Sequence, residues 1–122
     1  MMVSHFFVEL VGVNIGPIPF FLVQAKTTTL TLMPREGNLP IRVGVADMAK
    51  LVRYPAPTYI LGIHDPEETG YLWPAVQGGR AHIPSLPIRY SLGDPAVLAD
   101  RYAEVLDFWQ SNSVTFNRSR FV

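Results

Sequence analysis

The run Phe20 to Ala25 (FFLVQA) constrains this chain more than any other stretch. It opens apolar on both faces, and a strand of that kind has to be covered from two sides. It reads as a central strand with something packed above and below it. Upstream, His5 to Val13 is rich in Phe and Val and reads as a second strand. Asn14-Ile15-Gly16-Pro17 between them is a turn signal, so the two are expected to form a hairpin with a loop of several residues.

Eleven prolines in 122 residues punctuate the remainder. They fall between periodic segments, so the chain reads as short elements joined by stiff turns. Thr27 to Met33 alternates Thr with Leu and is β-prone; Pro34 to Asn38 is a loop; Leu39 to Val45 reads as a short strand with Ile41, Val43 and Val45 on one face, positioned to pair with Thr31 and Leu32. Ala46 to Arg53 reads as a short helix with Met48, Leu51 and Val52 along one side, ended by Pro55 and Pro57. Thr58 to Ile63 reads as a buried strand, His64 to Gly70 as a polar turn, and Tyr71 to Val76 as a returning strand that Pro74 makes either an edge or irregular at that point. Gly78 to Leu92 reads as a loop with one short strand. The final helix carries the clearest signals: Asp94 as N-cap, Pro95 at the first helical position, and a stripe of Leu98, Tyr102, Val105, Leu106 and Trp109 facing away from Asp100, Arg101, Glu104 and Asp107. The expectation is an α+β (α/β) fold: a mixed central sheet with one short and one longer helix, forming a single domain over residues 1–122.

Ten basic residues balance ten acidic ones, so no long-range field draws the chain to nucleic acid or to an anionic membrane. Cysteine is absent, which excludes disulfides and thiolate metal sites. No apolar run approaches the roughly 20 residues of a membrane helix. Met1 to Leu10 lacks the basic region and the cleavage site of a signal peptide, so the expected location is cytoplasmic.

The informative residues are VELVG, then FFLVQAKTT, then VGVADMAKLVRYPAPTYILGIHD and GYLW. A strand ending in Gln-Ala-Lys after a hairpin resembles the PD-(D/E)XK nuclease superfamily, in the Gln-x-Lys form of its Mrr-like branch. The longer phrase resembles domain-of-unknown-function family 4365, placed in the same superfamily, over roughly residues 4 to 76. The resemblance implies a restriction-endonuclease-like core and a magnesium-dependent phosphodiesterase site acting on DNA. Phosphodiester hydrolysis uses a divalent cation to gather negative charge and activate water, held by carboxylates and a carbonyl oxygen, with a lysine balancing charge on the phosphate.

By that resemblance Lys26 is the nuclease lysine and Gln24 the metal-side residue; they lie two apart on a strand and project together. His5, Phe7 and Glu9 share one face of the neighbouring strand, so Glu9 and His5 join Gln24 as candidate metal ligands, with Mg2+ the implied cofactor. Two features depart from the family pattern. Its first-strand Asp falls near Ser4 or His5, neither acidic, and imidazole suits magnesium poorly. Its preceding helix has no counterpart here, which fits either a truncated reading frame or a fold that has shed catalysis. The expected function is a nuclease-like domain with an incomplete, weak or inactive site. The alternatives are a non-catalytic module that self-associates as a homodimer, because Phe6, Phe20 and Leu22 need cover, and an active endonuclease borrowing an acid such as Asp47 or Asp65.

The other polar clusters read as ordinary surface. His5, His64 and His82 lack ligand spacing; Asp65, Glu67 and Glu68 form a solvated hairpin tip. Arg42, Arg53, Arg80 and Arg89 are interspersed with acids and read as solvated charges.

Overall fold

The N-terminal hairpin forms and builds one half of the sheet. β1 (Val3–Glu9) pairs antiparallel with β2 (Phe20–Thr28), setting His5 opposite Gln24 and Glu9 opposite Phe20. The computed structural model describes residues 3–12, 18–30, 37–112 and 119. β1 ends earlier than the expected Val13: Leu10 donates to the Pro19 carbonyl (2.9 Å) and Gly12 turns the chain with φ of 75°. The expected turn at 14–17 and the expected pairing of Thr31 and Leu32 with 39–45 lie outside the described residues.

The remaining elements follow as β3 (Asn38–Leu39), α1 (Val45–Leu51), β4 (Thr58–His64), a 3-10 turn at Asp65–Glu67, β5 (Thr69–Pro74), β6 (Leu86–Pro87) and α2 (Pro95–Ser111). β4 lies parallel to β2 and β5 antiparallel to β4, giving a mixed sheet ordered β1-β2-β4-β5. With two helices this is the expected α+β class, and FFLVQA is indeed an interior strand. β3 and β6 pair separately as a small antiparallel ribbon. Parallel neighbours cannot be joined by a tight turn, so the chain from β2 to β4 crosses a face of the sheet and carries α1 with it.

Strand parity gives each face its own core. On one face Ile60 of β4 packs with Leu39, Ile41, Val43, Met48, Leu51, Ile83 and Leu86, all fully or almost fully buried. On the other, Tyr59 and Leu72 pack with Val105 and Trp109 of α2. Gly62 sits where the crossover lies closest to β4: a Cβ there would collide with Leu86 Cδ2 and lie 3.2 Å from Ile41 Cδ1.

Two sequence expectations change in detail. The strand expected over Leu39–Val45 stops at Leu39, because Pro40 has no N–H to continue a ladder. Val43 retains a single bridge to Ile83, and Val45 is exposed as the first residue of α1. In α2 the capping is as expected, with Asp94 accepting from the Ala96 N–H (3.0 Å), but the buried side is Val97, Val105 and Trp109, while Leu98 and Tyr102 are exposed. Arg101, expected outside, points inward, its guanidinium 4.5 Å from the Tyr90 ring centre and 5.4 Å from that of Tyr59. A cation over two aromatic faces, with its stem buried against them, outcompetes the apolar stripe for that position.

Two side-chain bonds tie α2 to the sheet. Trp109 Nε1 donates to the Phe20 carbonyl (2.7 Å), and the buried Tyr59 hydroxyl donates to Glu104. Burial, then the bond to Glu104 and its charge, hold the Tyr59 phenol well above the ordinary 10.0, with Arg101 pulling the other way.

Two outcomes follow from this packing. Gly62→Ala should destabilise the fold by about 1–3 kcal/mol in urea denaturation, as overpacking does. Above about pH 10 the unfolded chain releases a phenolic proton that folded Tyr59 keeps, so stability falls as pH rises through that window. The fall, followed by alkaline urea denaturation, should be shallower in Tyr59→Phe.

Candidate functional site

β2 is covered on both faces, and this puts unusual residues inside. Gln24 and Lys26 are each only 6% exposed, and Thr28 is equally buried. The three share one face by strand parity, the face crossed by α1. Lysine and glutamine are rarely this buried unless they are bonded.

The bonds differ along the row. Gln24 Nε2 donates to His5 Nε2 (3.0 Å), which requires a neutral imidazole carrying its proton on Nδ1. The other end of the amide, Gln24 Oε1, is buried and has no hydrogen-bond partner among the described residues. Lys26 Nζ donates to the Arg42 carbonyl (2.9 Å) and lies 4.0 Å from Asp47 Oδ2. Asp47 stands in the first turn of α1, half exposed, so the crossover that buries the lysine also brings its counter-charge. Thr28 Oγ1 accepts from the Leu30 N–H (3.4 Å).

Of the sequence-derived candidates, the structure joins His5 with Gln24 and sets Lys26 beside them on the same strand face. It leaves Glu9 apart. Glu9 is exposed and opposite Phe20, four residues from Gln24 along β2, roughly 13 Å at strand spacing. The carboxylate that reaches the row is Asp47, which the sequence offered only as one of two possible loans. Asp65 instead starts the exposed 3-10 turn.

His64, expected within a polar turn, closes β4 and is buried, paired in register with Thr28. Its Nε2 contacts the Leu30 carbonyl (3.1 Å), and its Nδ1 has no hydrogen-bond partner among the described residues, with Glu67 Oε2 3.5 Å away. The alternation Thr58, Ile60, Gly62, His64 carried the signal, since it puts His64 on the inward parity of the strand.

A small cleft of about 80 Å³ borders Gln24 and His5, walled by Phe6, Leu22, Leu51 and Tyr54. Water occupies roughly 30 Å³ in the liquid, so this space suits a few waters or an ion and is too small for a nucleotide. Two larger clefts lie elsewhere: one of about 260 Å³ beside Tyr54, Tyr59 and Glu104, and one of about 470 Å³ beside Trp73, Arg80 and Arg89.

The donor set can be tested against magnesium directly. It offers one orphan carbonyl oxygen, one imidazole whose single lone pair already accepts from Gln24, and one carboxylate that already faces an ammonium. Magnesium prefers an octahedron of oxygens with one or two free carboxylates, so these residues do not fit it well. Among the described residues no three His, Cys, Asp or Glu side chains converge. Comparison with protein families, curated proteins and solved structures returns no match for this chain.

Lys26 and Gln24 should respond oppositely to substitution by methionine. Lys26→Met strips the Arg42 carbonyl of its donor and Asp47 of its cation, and should cost about 1–3 kcal/mol in urea denaturation. Gln24→Met removes a buried oxygen that bonds to nothing and frees only the exposed His5, so stability should hold or rise by about 1 kcal/mol.

Proposed function

We propose that this chain is a PD-(D/E)XK nuclease-like domain whose phosphodiesterase site is incomplete, with weak or no hydrolysis, and which contacts DNA. The observation that carries the reading is the buried Gln24 Oε1. A protein retains an unsatisfied interior carbonyl at a cost of about 1–3 kcal/mol, and here it lies on the face it shares with Lys26, at the Gln-x-Lys strand end of the family phrase. His5 stands directly across from Gln24, in the region where that family pattern has its Asp. This supports a site in which imidazole has taken the place of a carboxylate.

DNA as the ligand draws support from the cleft of about 470 Å³ beside Trp73, Arg80 and Arg89. Trp73 pairs with Ile60, which pairs with Gln24, so Trp73 lies on the same sheet face two strands away, roughly 10 Å. Arg80 and Arg89 rim that cleft, and among the described residues no acidic side chain lines it. Among the described residues no helix is long and apolar enough to cross a membrane; a cytoplasmic location is part of the proposal.

A second reading, a self-associating module without catalysis, is favoured by one observation: Phe6 and Phe7 of β1 are 52% and 57% exposed.

Calorimetry with manganese and magnesium tests the site. Weak manganese binding, abolished in Gln24→Met, is the expected result; binding that survives both Gln24→Met and His5→Ala rejects the site. Anisotropy of a labelled duplex should show salt-sensitive binding weakened in Arg80→Ala/Arg89→Ala. Rapid plasmid nicking with magnesium would show that the site is complete after all.

A further inference from the structure

The two edges of the four-stranded sheet are finished differently. β5 is closed by the 90–92 segment: Leu72 N–H donates to the Tyr90 carbonyl and Leu92 N–H to that of Gly70, each at 2.8 Å, and Tyr71 bridges Ser91. Among the described residues no strand or segment pairs with the outer edge of β1.

Hydrogen-bond parity identifies the backbone groups left over. Leu10 N–H donates to Pro19 across the hairpin, and antiparallel ladders alternate, so even-numbered β1 residues direct their backbone groups at β2. His5, Phe7 and Glu9 therefore aim theirs outward. Phe6 and Phe7 flank this open edge on opposite faces. Natural edge strands are usually blunted by Lys, Pro or a bulge. Val3–Glu9 contains neither residue and pairs with β2 without interruption.

We propose that β1 pairs antiparallel with β1 of a second copy about a two-fold axis at Phe7, joining two sheets into one. This rests on the self-association reading above. The occupant is a second copy because the strand is complementary to itself in that register. His5 then faces Glu9 of the partner subunit and Glu9 faces the partner's His5, at a Cα spacing of roughly 5.5 Å. Phe7 meets the partner's Phe7. All three pairs use the outward-facing backbone groups. A His5 that accepts at Nε2 from Gln24 carries its proton on Nδ1 and can donate it to that carboxylate. An axis at Phe6 instead would set Glu9 against the partner's Val3 and lose both contacts.

Sedimentation equilibrium of the full chain tests the pairing. The mass should climb from 13.6 kDa towards twice that value as concentration rises through the micromolar range. Phe7→Pro removes an outward donor and leaves the β1–β2 ladder intact, so it should remain monomeric with an unchanged circular dichroism spectrum. Glu9→Lys, at an exposed position, should weaken dimerisation by about tenfold, and His5→Glu/Glu9→Lys should restore it. A monomer at every soluble concentration overturns both the pairing and self-association. A dimer that persists through Phe7→Pro and Glu9→Lys overturns the β1 pairing alone. Failure of the double variant to recover overturns the register.

Discussion

The parallel pairing of β2 with β4 governs the rest of the molecule. Because parallel neighbours need a crossover, the chain after β2 has to pass over a face of the sheet before β4 can start. That passage carries Leu39, Ile41, Val43 and α1 onto the face where Ile60 and Gly62 lie, and together they make one core. The same passage seals Gln24, Lys26 and Thr28 away from water. Their burial is thus a consequence of topology rather than of their own chemistry.

Sealing an ammonium inside is tolerable only if it is bonded. The crossover supplies what is needed: the Arg42 carbonyl at 2.9 Å and the Asp47 carboxylate at 4.0 Å. Lys26 therefore links β2 to the start of α1 whatever else it does. Gln24 is the contrasting case, since its amide nitrogen has His5 while its oxygen has nothing. This asymmetry sets Gln24 apart from the fully bonded lysine, and the proposed site draws on it. One partnered carboxylate and one imidazole make a poor cage for a hard cation.

The opposite face shows how aromatic groups redirect a helix. Tyr59 and Tyr90 offer two rings below α2, and Arg101 lies against both. The helix turns to accept it, exposing Leu98 and Tyr102 and leaving Val97, Val105 and Trp109 inside. Tyr59 then faces Glu104, and the buried bond between them raises the phenol's proton affinity.

Local pattern alone determined the order of the elements: the apolar FFLVQA run as an interior strand, Asp94-Pro95 as a helix start, Pro55 as a helix stop, and the shared side of Gln24 and Lys26; the strand expected over Tyr71–Val76 instead ends at Pro74. Those features depend on near neighbours in the chain, through strand alternation, capping and the missing proline N–H. What tertiary structure decided were the contacts across long separations. Hairpin register set His5, rather than Glu9, against Gln24; the crossover brought Asp47 to Lys26; and the β2–β4 register put His64 beneath the Leu30 carbonyl. No spacing in the sequence encodes these pairings, because each depends on which surfaces remain to be covered once the strands have chosen their neighbours.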